Sequence, residues 1–381
     1  MKFKKVYIGI IFALTIAAVG IISERARFNQ FFSPVKLKYI SSYLQNNYLY
    51  EVDEEEGLKS VYSGYVSGTE NAVTYYLDEA DFKVAEITEA GSYFGTGMVV
   101  MWSIDGQSFI VTEVIPDSPA EKAGIKVGDK ITKVNETPVL LSNSNTLLEE
   151  AFSNQEKEVN YSVVSGNSQM EVSLMPEETA VSDMDYETME DVLYIKLNTI
   201  QQGTSERMAE LIGKQVQGCK GIILDIRDLY TNNLEEISKI CDLFLEKGVA
   251  FKVKEKNDKI AVYTMTPGAD DHQLCLIVNS STKAGAEALV LGLKDRSQIV
   301  GSDTKGLQYI RTLVALDDGS GVSVASGIVC DQYGEVLQES GIEPNERIYI
   351  SEEEKAELLE TGTIARSHDS FIKAALTHFR G

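Results

Sequence analysis

The residues best suited to chemistry lie in one short turn and one later loop. Three hydroxyl residues at positions 280–282, Ser281 among them, follow the predicted strand LCLIVN, and Lys305 lies in the loop after the next predicted strand. A serine attacks only when a base takes its proton, and a lysine is such a base only when burial lowers its pKa. Ser281 and Lys305 are therefore candidates for nucleophile and base. The alternative is a helix-capping turn beside a solvated lysine.

Histidine, zinc and cysteine chemistry has little support. The three histidines, His272, His368 and His378, lack the close spacing of zinc ligands, and the last two lie in a predicted C-terminal helix, where we expect surface positions. The cysteines, at positions 219, 241, 275 and 330, lie in or beside apolar runs, which predicts buried free thiols. No metal and no cofactor are predicted.

Composition excludes two broad classes. The 381 residues are 43% hydrophobic and 24% charged, which predicts globular domains with a sizeable core and excludes a disordered chain. The formal net charge is −23. Binding to the nucleic-acid backbone needs clustered cations, so we expect no nucleic-acid partner.

The first 23 residues predict a membrane anchor. Lys2, Lys4 and Lys5 precede a run without charges from residue 6 to 22, just long enough to cross a bilayer at about 1.5 Å per residue. A cleaved signal peptide is the alternative, but its apolar part is normally shorter. The lysines predict a single-pass protein with a cytoplasmic N-terminus and an extracytoplasmic body.

The elements that position these residues predict an α/β core. Residues 24–90 have helical character, 91–177 form a dense β pattern, and 351–381 form a helical tail. Between them, in residues 178–350, apolar strands alternate with amphipathic helices, which predicts a mostly parallel sheet. Ligands bind beyond the carboxyl ends of such strands. We therefore expect a site at the loops after Ile226 and Asn279.

A second motif lies in the β pattern. The run VIPDSPAEKAGIKVGDKITKVNETPV (114–139), preceded by GSYFGTGM (91–98), resembles a PDZ domain. The resemblance implies that a glycine loop offers backbone N–H groups to a peptide's terminal carboxylate, and that the peptide adds as a strand beside residues 98–102 and a groove helix near 146–152. A tight turn without a ligand is the alternative. The implied peptide-binding residues are Phe94, Gly95, Thr96, Gly97 and Met98.

The remaining motifs extend the resemblance over about residues 36–350. NNYLYEVDEEEGL, TYYLDEADF, LYIKL, GIILDIRD, CDLFL, LIVN, DDGSG and GIEP occur in that order. In this order they resemble the carboxyl-terminal processing peptidases, or tail-specific proteases, which are serine peptidases with a PDZ domain. The resemblance implies a serine nucleophile before a helix, a lysine base in a later turn, and a glutamine that orients the lysine.

At the catalytic positions the resemblance fails. Matching VNSSTKAGAEAL (278–289) to the family through Glu287 places Ala284 at the nucleophile. Matching GSDTKGLQYIR (301–311) places Leu307 at the lysine and Arg311 at the glutamine. The Asn-Pro-Gly-Gly turn that supplies oxyanion donors is replaced by residues 228–233, DLYTNN, which contain neither glycine nor proline.

Three hypotheses follow from this sequence. The first is a membrane-anchored pseudoprotease whose PDZ domain binds peptide or protein C-termini, with an active protease or a second copy of the chain as further partners. The second is an active serine-type endopeptidase that uses relocated residues, Ser281 and Lys305. The third is a structural assembly protein in which the peptide groove is also closed.

Overall fold

The computed structural model describes residues 34–103, 106–143, 146–148, 157–266 and 270–380. Two compact units divide the chain, residues 1–65 and residues 66–381. The predicted anchor, residues 1–23, lies outside the described residues. Among the described residues, no helix has both the length and the apolar character that a membrane span requires.

The described elements are numbered here in chain order. The helices are α1 Pro34–Asn47, α2 Glu54–Ser67, α3 Glu79–Glu89, α4 Pro119–Lys122, α5 Thr204–Gln215, α6 Leu234–Asp242, α7 Gly285–Leu293, α8 Glu352–Thr361 and α9 Ser370–Thr377. The strands are β1 Tyr75–Leu77, β2 Ser92–Gly95, β3 Met98–Trp102, β4 Phe109–Val114, β5 Lys130–Val134, β6 Thr137–Pro138, β7 Val159–Ser165, β8 Ser168–Leu174, β9 Glu177–Ala180, β10 Met184–Met189, β11 Val192–Leu197, β12 Gly221–Asp225, β13 Tyr230–Thr231, β14 Gly248–Glu255, β15 Ile260–Met265, β16 Gln273–Val278, β17 Lys283–Ala284, β18 Ser297–Gly301, β19 Tyr309–Ala315, β20 Gly321–Cys330 and β21 Glu346–Arg347. Short 3₁₀ turns lie at Leu141–Asn143 and Lys256–Asp258.

The predicted helical region, residues 24–90, contains α1, α2 and α3 and also a strand. Asp53 accepts a hydrogen bond from the Glu56 N–H at 3.1 Å and so caps α2, whose first turn is acidic, as the helix dipole favours. Asp78 caps α3 in the same way. Strand β1 lies between α2 and α3 and pairs with β20.

The predicted β pattern, residues 91–177, contains strands β2 to β8. Its main sheet has the order β3-β4-β5-β7-β8, with antiparallel neighbours, and β6 pairs with β5. Phe109, Ile131 and Tyr161 are fully buried in its core. Residues 146–148 of the predicted groove helix are helical, and residues 149–156 lie outside the described residues.

One sheet of the α/β core has the order β10-β11-β12-β16-β18-β21. Neighbouring strands are parallel from β11 to β21, and β10 pairs antiparallel with β11. Successive side chains face opposite sides of a strand, so Ile222 and Leu224 of β12 pack with α5, α6 and α7, whereas Ile223 packs with Phe371 of α9. The predicted C-terminal helical tail therefore covers one face of this sheet through α9.

A second core sheet corrects the prediction of a mostly parallel fold. Its order is β1-β20-β14-β15, with β19 also paired to β20, and its pairings are antiparallel. The connections explain this, because β14 and β15 are joined by a tight turn in which Asn257 and Asp258 have positive φ. The predicted mostly parallel arrangement describes one of the two core sheets, and the core as a whole is mixed.

Candidate functional site

Ala284 occupies a strained turn between β17 and α7. Its φ of 57° and ψ of −121° lie in a region of backbone conformation that residues other than glycine rarely adopt. A sharp strand-to-helix turn of this kind can hold a nucleophile above a sheet. The side chain here is a methyl group with 0% exposure. The backbone geometry of a nucleophile is therefore present without an atom that could attack a carbonyl.

A buried carboxylate holds this turn against the loop that carries Leu307. Glu287 accepts hydrogen bonds at Oε2 from the N–H groups of Ala284 and Leu307, at 3.1 and 2.9 Å. At Oε1 it accepts from the Thr304 hydroxyl and the Gly306 N–H, both at 2.6 Å. Burial raises the pKa of Glu287, and these four donors oppose that shift. The carboxylate thus serves as a structural clamp.

Leu307 supplies an apolar side chain at the position where the resemblance implies a lysine. It is half-buried and packs against the core formed with α5, α6 and α7. A base must accept a proton, and a leucine side chain has no atom that can do so. With Ala284, it leaves the turn and the loop without the Ser/Lys pair.

Arg311 lies in a network of polar contacts. Its Nε and Nη2 donate to Glu89 Oε1 at 3.0 and 2.8 Å, and its Nη1 donates to the Tyr75 hydroxyl. The guanidinium lies 5.5 Å from the centre of the Tyr230 ring. Asn232 accepts from the Arg311 N–H at 3.0 Å and donates to Glu89 at 2.9 Å. These contacts connect three elements: α3, the loop before α6, and β19. Each of the three guanidinium nitrogens of Arg311 donates a hydrogen bond within this network.

The two loops predicted to form a site do meet. The Asp228 N–H donates to Asn279 Oδ1 at 3.1 Å, and Asn279 Nδ2 donates back to Asp228 Oδ1 at 3.0 Å. Strands β13 and β17 pair in parallel, and the Lys283 N–H donates to the Leu229 carbonyl at 3.1 Å. An oxyanion hole requires N–H groups aimed at a place where substrate can lie. The N–H groups of Asp228 and Lys283 donate within the protein instead.

The relocated candidates lie close together on the surface. Ser281 is exposed, and its N–H donates to Asn279 Oδ1 at 3.1 Å. Thr282 is buried, and its hydroxyl donates to the Ile226 carbonyl at 2.9 Å. The Lys305 N–H donates to the Thr282 carbonyl at 2.9 Å, while the Lys305 side chain is exposed. A lysine base needs a closed, apolar environment, which this surface turn does not provide.

The predicted peptide-binding loop lies between β2 and β3. Gly95 and Gly97 have φ of 149° and 89°, values that favour glycine. The carbonyls of Thr96 and Gly97 accept hydrogen bonds from Ala120 and Ile115, so the loop is fixed to the module. Strand β3 is the first strand of its sheet and pairs with β4 alone in the described structure. Its outer edge can therefore pair with a peptide strand.

Three acidic or imidazole groups form a separate surface cluster. Asp270, Asp271 and His272 bring their ligand atoms within 4.8 Å of one another in the described structure. Asp270 Oδ1 is already bonded to the His272 N–H and ring at 2.9 Å, so these contacts account for the cluster. The predicted burial of the cysteines is found for Cys241, Cys275 and Cys330, whereas Cys219 is half-buried.

Glu287 and Glu89 hold the site together and were not predicted as site residues. Glu287 was a motif position without a stated contact, and the apolar surroundings AGAEALVL were a usable signal, since a carboxylate in such a run needs partners. Glu89 and Arg311 are 222 positions apart, and no local pattern connects them.

Comparisons with known proteins agree with these elements. Residues 191–348 match peptidase family S41, and residues 110–146 match the PDZ domain. The chain is 26% identical over 317 residues to a "Probable CtpA-like serine protease" of Staphylococcus aureus strain N315, and 24% identical to one of Staphylococcus epidermidis. Each match covers 81% of this chain and 64% of the relative, so the chain spans less than two thirds of these relatives.

Solved structures show the same fold. The photosystem II D1 C-terminal processing protease has a TM-score of 0.54 at 21% identity, with 84% of this chain and 88% of that chain covered. A candidate S41 protease of Bacteroides fragilis has a TM-score of 0.59 at 14% identity, with 90% and 97% covered. The chain is therefore similar to peptidase family S41 over residues 191–348 and to the PDZ domain over residues 110–146, and it has the fold of a C-terminal processing protease.

Proposed function

We propose that this chain is a pseudoprotease that binds peptide or protein C-termini through its PDZ domain without cutting them. The observation that carries the proposal is the fully buried methyl group of Ala284 at the strained turn. Loss of a nucleophile alone removes most of the rate of such an enzyme. Leu307 and Arg311 stand where the base and its orienting residue are expected, so the Ser/Lys chemistry has no local substitute.

The peptide-binding half of the protein supports the second part of the proposal. The glycine loop at 94–98 and the outer edge of β3 are both present, and they are the two features that capture of a C-terminus uses. The partners would be unfolded or C-terminally exposed segments, an active protease that the chain regulates, or a second copy of the chain.

The proposed location is the outer side of a membrane. It rests on the uncharged run from residue 6 to 22 and the three lysines before it. In cells that express the full chain, protease added from outside should digest the body and leave a tag placed before Lys2 intact. Digestion of the tag with an intact body would indicate the opposite orientation. Release of the body into the medium would indicate a cleaved signal peptide.

A cleavage assay separates the proposal from the active alternative. The full-length chain is incubated with an unfolded protein and with a peptide that has an apolar C-terminus, and products are identified by mass spectrometry. We expect no products from the wild type or from the Ser281→Ala, Lys305→Ala double variant. Products that disappear in the double variant would show that Ser281 or Lys305 carries relocated catalysis.

A further inference from the structure

Strand β15 forms an open edge of the second core sheet. It is the last strand in the order β1-β20-β14-β15 and, among the described residues, pairs with β14 alone. The backbone N–H and C=O groups on its outer side therefore lack a strand partner there. Thr266, directly after the strand, is held in place because its N–H and hydroxyl both donate to the Asp242 carboxylate, at 2.5 and 2.7 Å. The edge thus keeps the extended conformation that pairing with another strand requires.

Strand β15 lacks the features that usually protect a sheet edge, which are charged residues, proline and short length. In the described structure, the edge strands of at least five residues are β3, β8, β10, β15 and β19. A charged residue occurs in β8, β10 and β19, and in neither β3 nor β15. The proposed function assigns β3 to a bound peptide. Strand β15, with the sequence IAVYTM, is therefore a second edge suited to strand addition.

The outward face of β15 is largely apolar. Ile260 and Val262 are 55% and 47% exposed, and Thr264 is exposed on the same side. The residues between them face the core, where the Tyr263 ring stacks on Phe251 with 4.5 Å between the ring centroids. Residues opposite each other in a strand pair have their side chains on the same face of the sheet. An added strand must therefore place apolar or small side chains beside Ile260 and Val262.

The two ends of β15 differ in charge. Before the strand, residues 254–259 contain three lysines and two carboxylates. After it, the Asp242 carboxylate binds Thr266, and the Asp270 N–H donates to the carbonyl of the residue that follows Asp242, at 2.7 Å. Asp271 is the next residue and is exposed. The strand therefore runs from a basic end to an acidic end.

This charge pattern complements itself. In an antiparallel pair, the start of one strand lies beside the end of the other. When the added strand is β15 of a second copy, each basic end meets an acidic end, and a twofold axis makes the two contacts identical. The uncharged middle of the strand also matches itself. Charge and apolar pattern together favour a second copy as the occupant of this edge.

We propose that β15 pairs antiparallel with β15 of a second copy of this chain and joins the two second core sheets into one. Exposed positions must meet exposed positions, so the register places Val262 opposite Val262 at the axis and Ile260 opposite Thr264. This surface is separate from the PDZ loop, and the pairing does not depend on peptide capture. One short strand pair is a small interface, so the association should be weak and reversible.

Cysteine cross-linking tests the pairing. The full-length chain with Val262→Cys is oxidised with copper phenanthroline at about 0.15 M salt, which screens the repulsion between two acidic chains beyond about 8 Å. Linked dimer is measured on a non-reducing gel. Disulfide geometry requires closely facing side chains, so we expect at least about fivefold more linked dimer than with Val314→Cys. Val314 is the matched control, because it is also a valine on an edge strand and is 45% exposed.

The wild type reports any linkage through the native cysteines, and a short bismaleimide repeats the assay without the strict geometry of a disulfide. A mixture of Ile260→Cys and Thr264→Cys should link, whereas each alone should link no more than Val314→Cys. Linkage of Val262→Cys at the level of Val314→Cys with both reagents would overturn pairing with a second copy. Ile260→Cys that links to itself as readily as to Thr264→Cys would overturn the antiparallel register.

Discussion

Ala284 and Leu307 donate their backbone N–H groups to the same carboxylate oxygen, Oε2 of Glu287, at 3.1 and 2.9 Å. The family resemblance places the nucleophile at the first position and the lysine base at the second. The protein therefore keeps these two positions together through a buried hydrogen-bonded clamp, while both side chains are apolar. Under the proposed function, the fold retains the frame of a Ser/Lys site without its two reactive side chains.

Removal of the clamp should destabilise the α/β core strongly. Glu287→Ala leaves four donors without their acceptor, and unsatisfied buried groups each cost about 1–3 kcal/mol. We expect the free energy of unfolding to fall by about 3–5 kcal/mol, measured by denaturant titration. The matched control, Glu360→Ala on the exposed side of α8, should change it by less than about 0.5 kcal/mol. A loss no larger than the control would show that Glu287 is not a clamp.

The strained backbone at Ala284 predicts an unusual response to glycine. Ala284→Gly relieves about 1–3 kcal/mol of strain and loses a buried methyl worth about 1 kcal/mol. Stability should therefore stay level or rise by up to about 2 kcal/mol. Ala288→Gly, inside the same helix and equally buried, should cost about 2 kcal/mol from lost methyl and helix propensity. Equal losses of unfolding free energy in the two variants would show that the backbone at Ala284 is not strained.

The Glu89–Arg311 pair should show measurable coupling. The Arg311 side chain is 10% exposed, so removal of either partner leaves a partly buried charge without its counterion. In a double-mutant cycle with Glu89→Gln and Arg311→Met, we expect a coupling energy of about 1–3 kcal/mol. The exposed pair Lys214 and Glu210 serves as the reference and should couple by less than about 0.5 kcal/mol. Similar coupling energies for both pairs would show that Arg311 has no special structural role.

Acid should weaken the packing of α5 on α6 through Glu236. Burial alone would raise its pKa, but hydrogen bonds from the Ser205 N–H, Lys239 and the Ser205 hydroxyl hold the pKa at about 2, below the ordinary 4.5. The folded pKa is depressed, so its stabilisation is present above about pH 4.5 and is lost as pH falls toward 2.

The measurement is the free energy of unfolding between pH 6 and pH 2.5, with the fall attributable to this group on the order of 2 kcal/mol. Glu236→Gln should flatten that part of the profile, whereas Glu246→Gln, at an exposed position, should leave the slope unchanged. An unchanged slope in Glu236→Gln would rule out this carboxylate as the titrating group.

Much of the frame could be predicted from the sequence, for identifiable reasons. Strands β11, β12 and β16 are short continuous apolar runs, which mark strands buried on both faces. Helix α6 ends at Asp242 and β14 begins at Gly248, and the predicted alternation of helices with parallel strands does not account for β14. That strand and β15 belong to the antiparallel sheet, so the prediction of a mostly parallel core was incomplete.

The contacts of the site were less accessible from the sequence. A local motif predicted that Ala284 lies at the turn before a helix. Its strained φ and ψ are known only from the structure. Tyr93 lies two residues before Gly95, and nothing in that spacing indicates that the end of its ring lies next to the glycine. The contacts between Glu89, Arg311 and Asn232 depend on three elements far apart in sequence, which tertiary structure alone brings together.

Capture without cleavage can be measured in one sample. The full-length chain, in excess over a protein that ends in an apolar, flexible tail with a free carboxylate, is held at 37 °C, recovered with its bound substrate and analysed by intact mass. We expect the substrate to be retained and to keep its full mass. Substrate shortened at its C-terminal region, with shortening abolished by Ser281→Ala and Lys305→Ala, would contradict the account and establish an active peptidase.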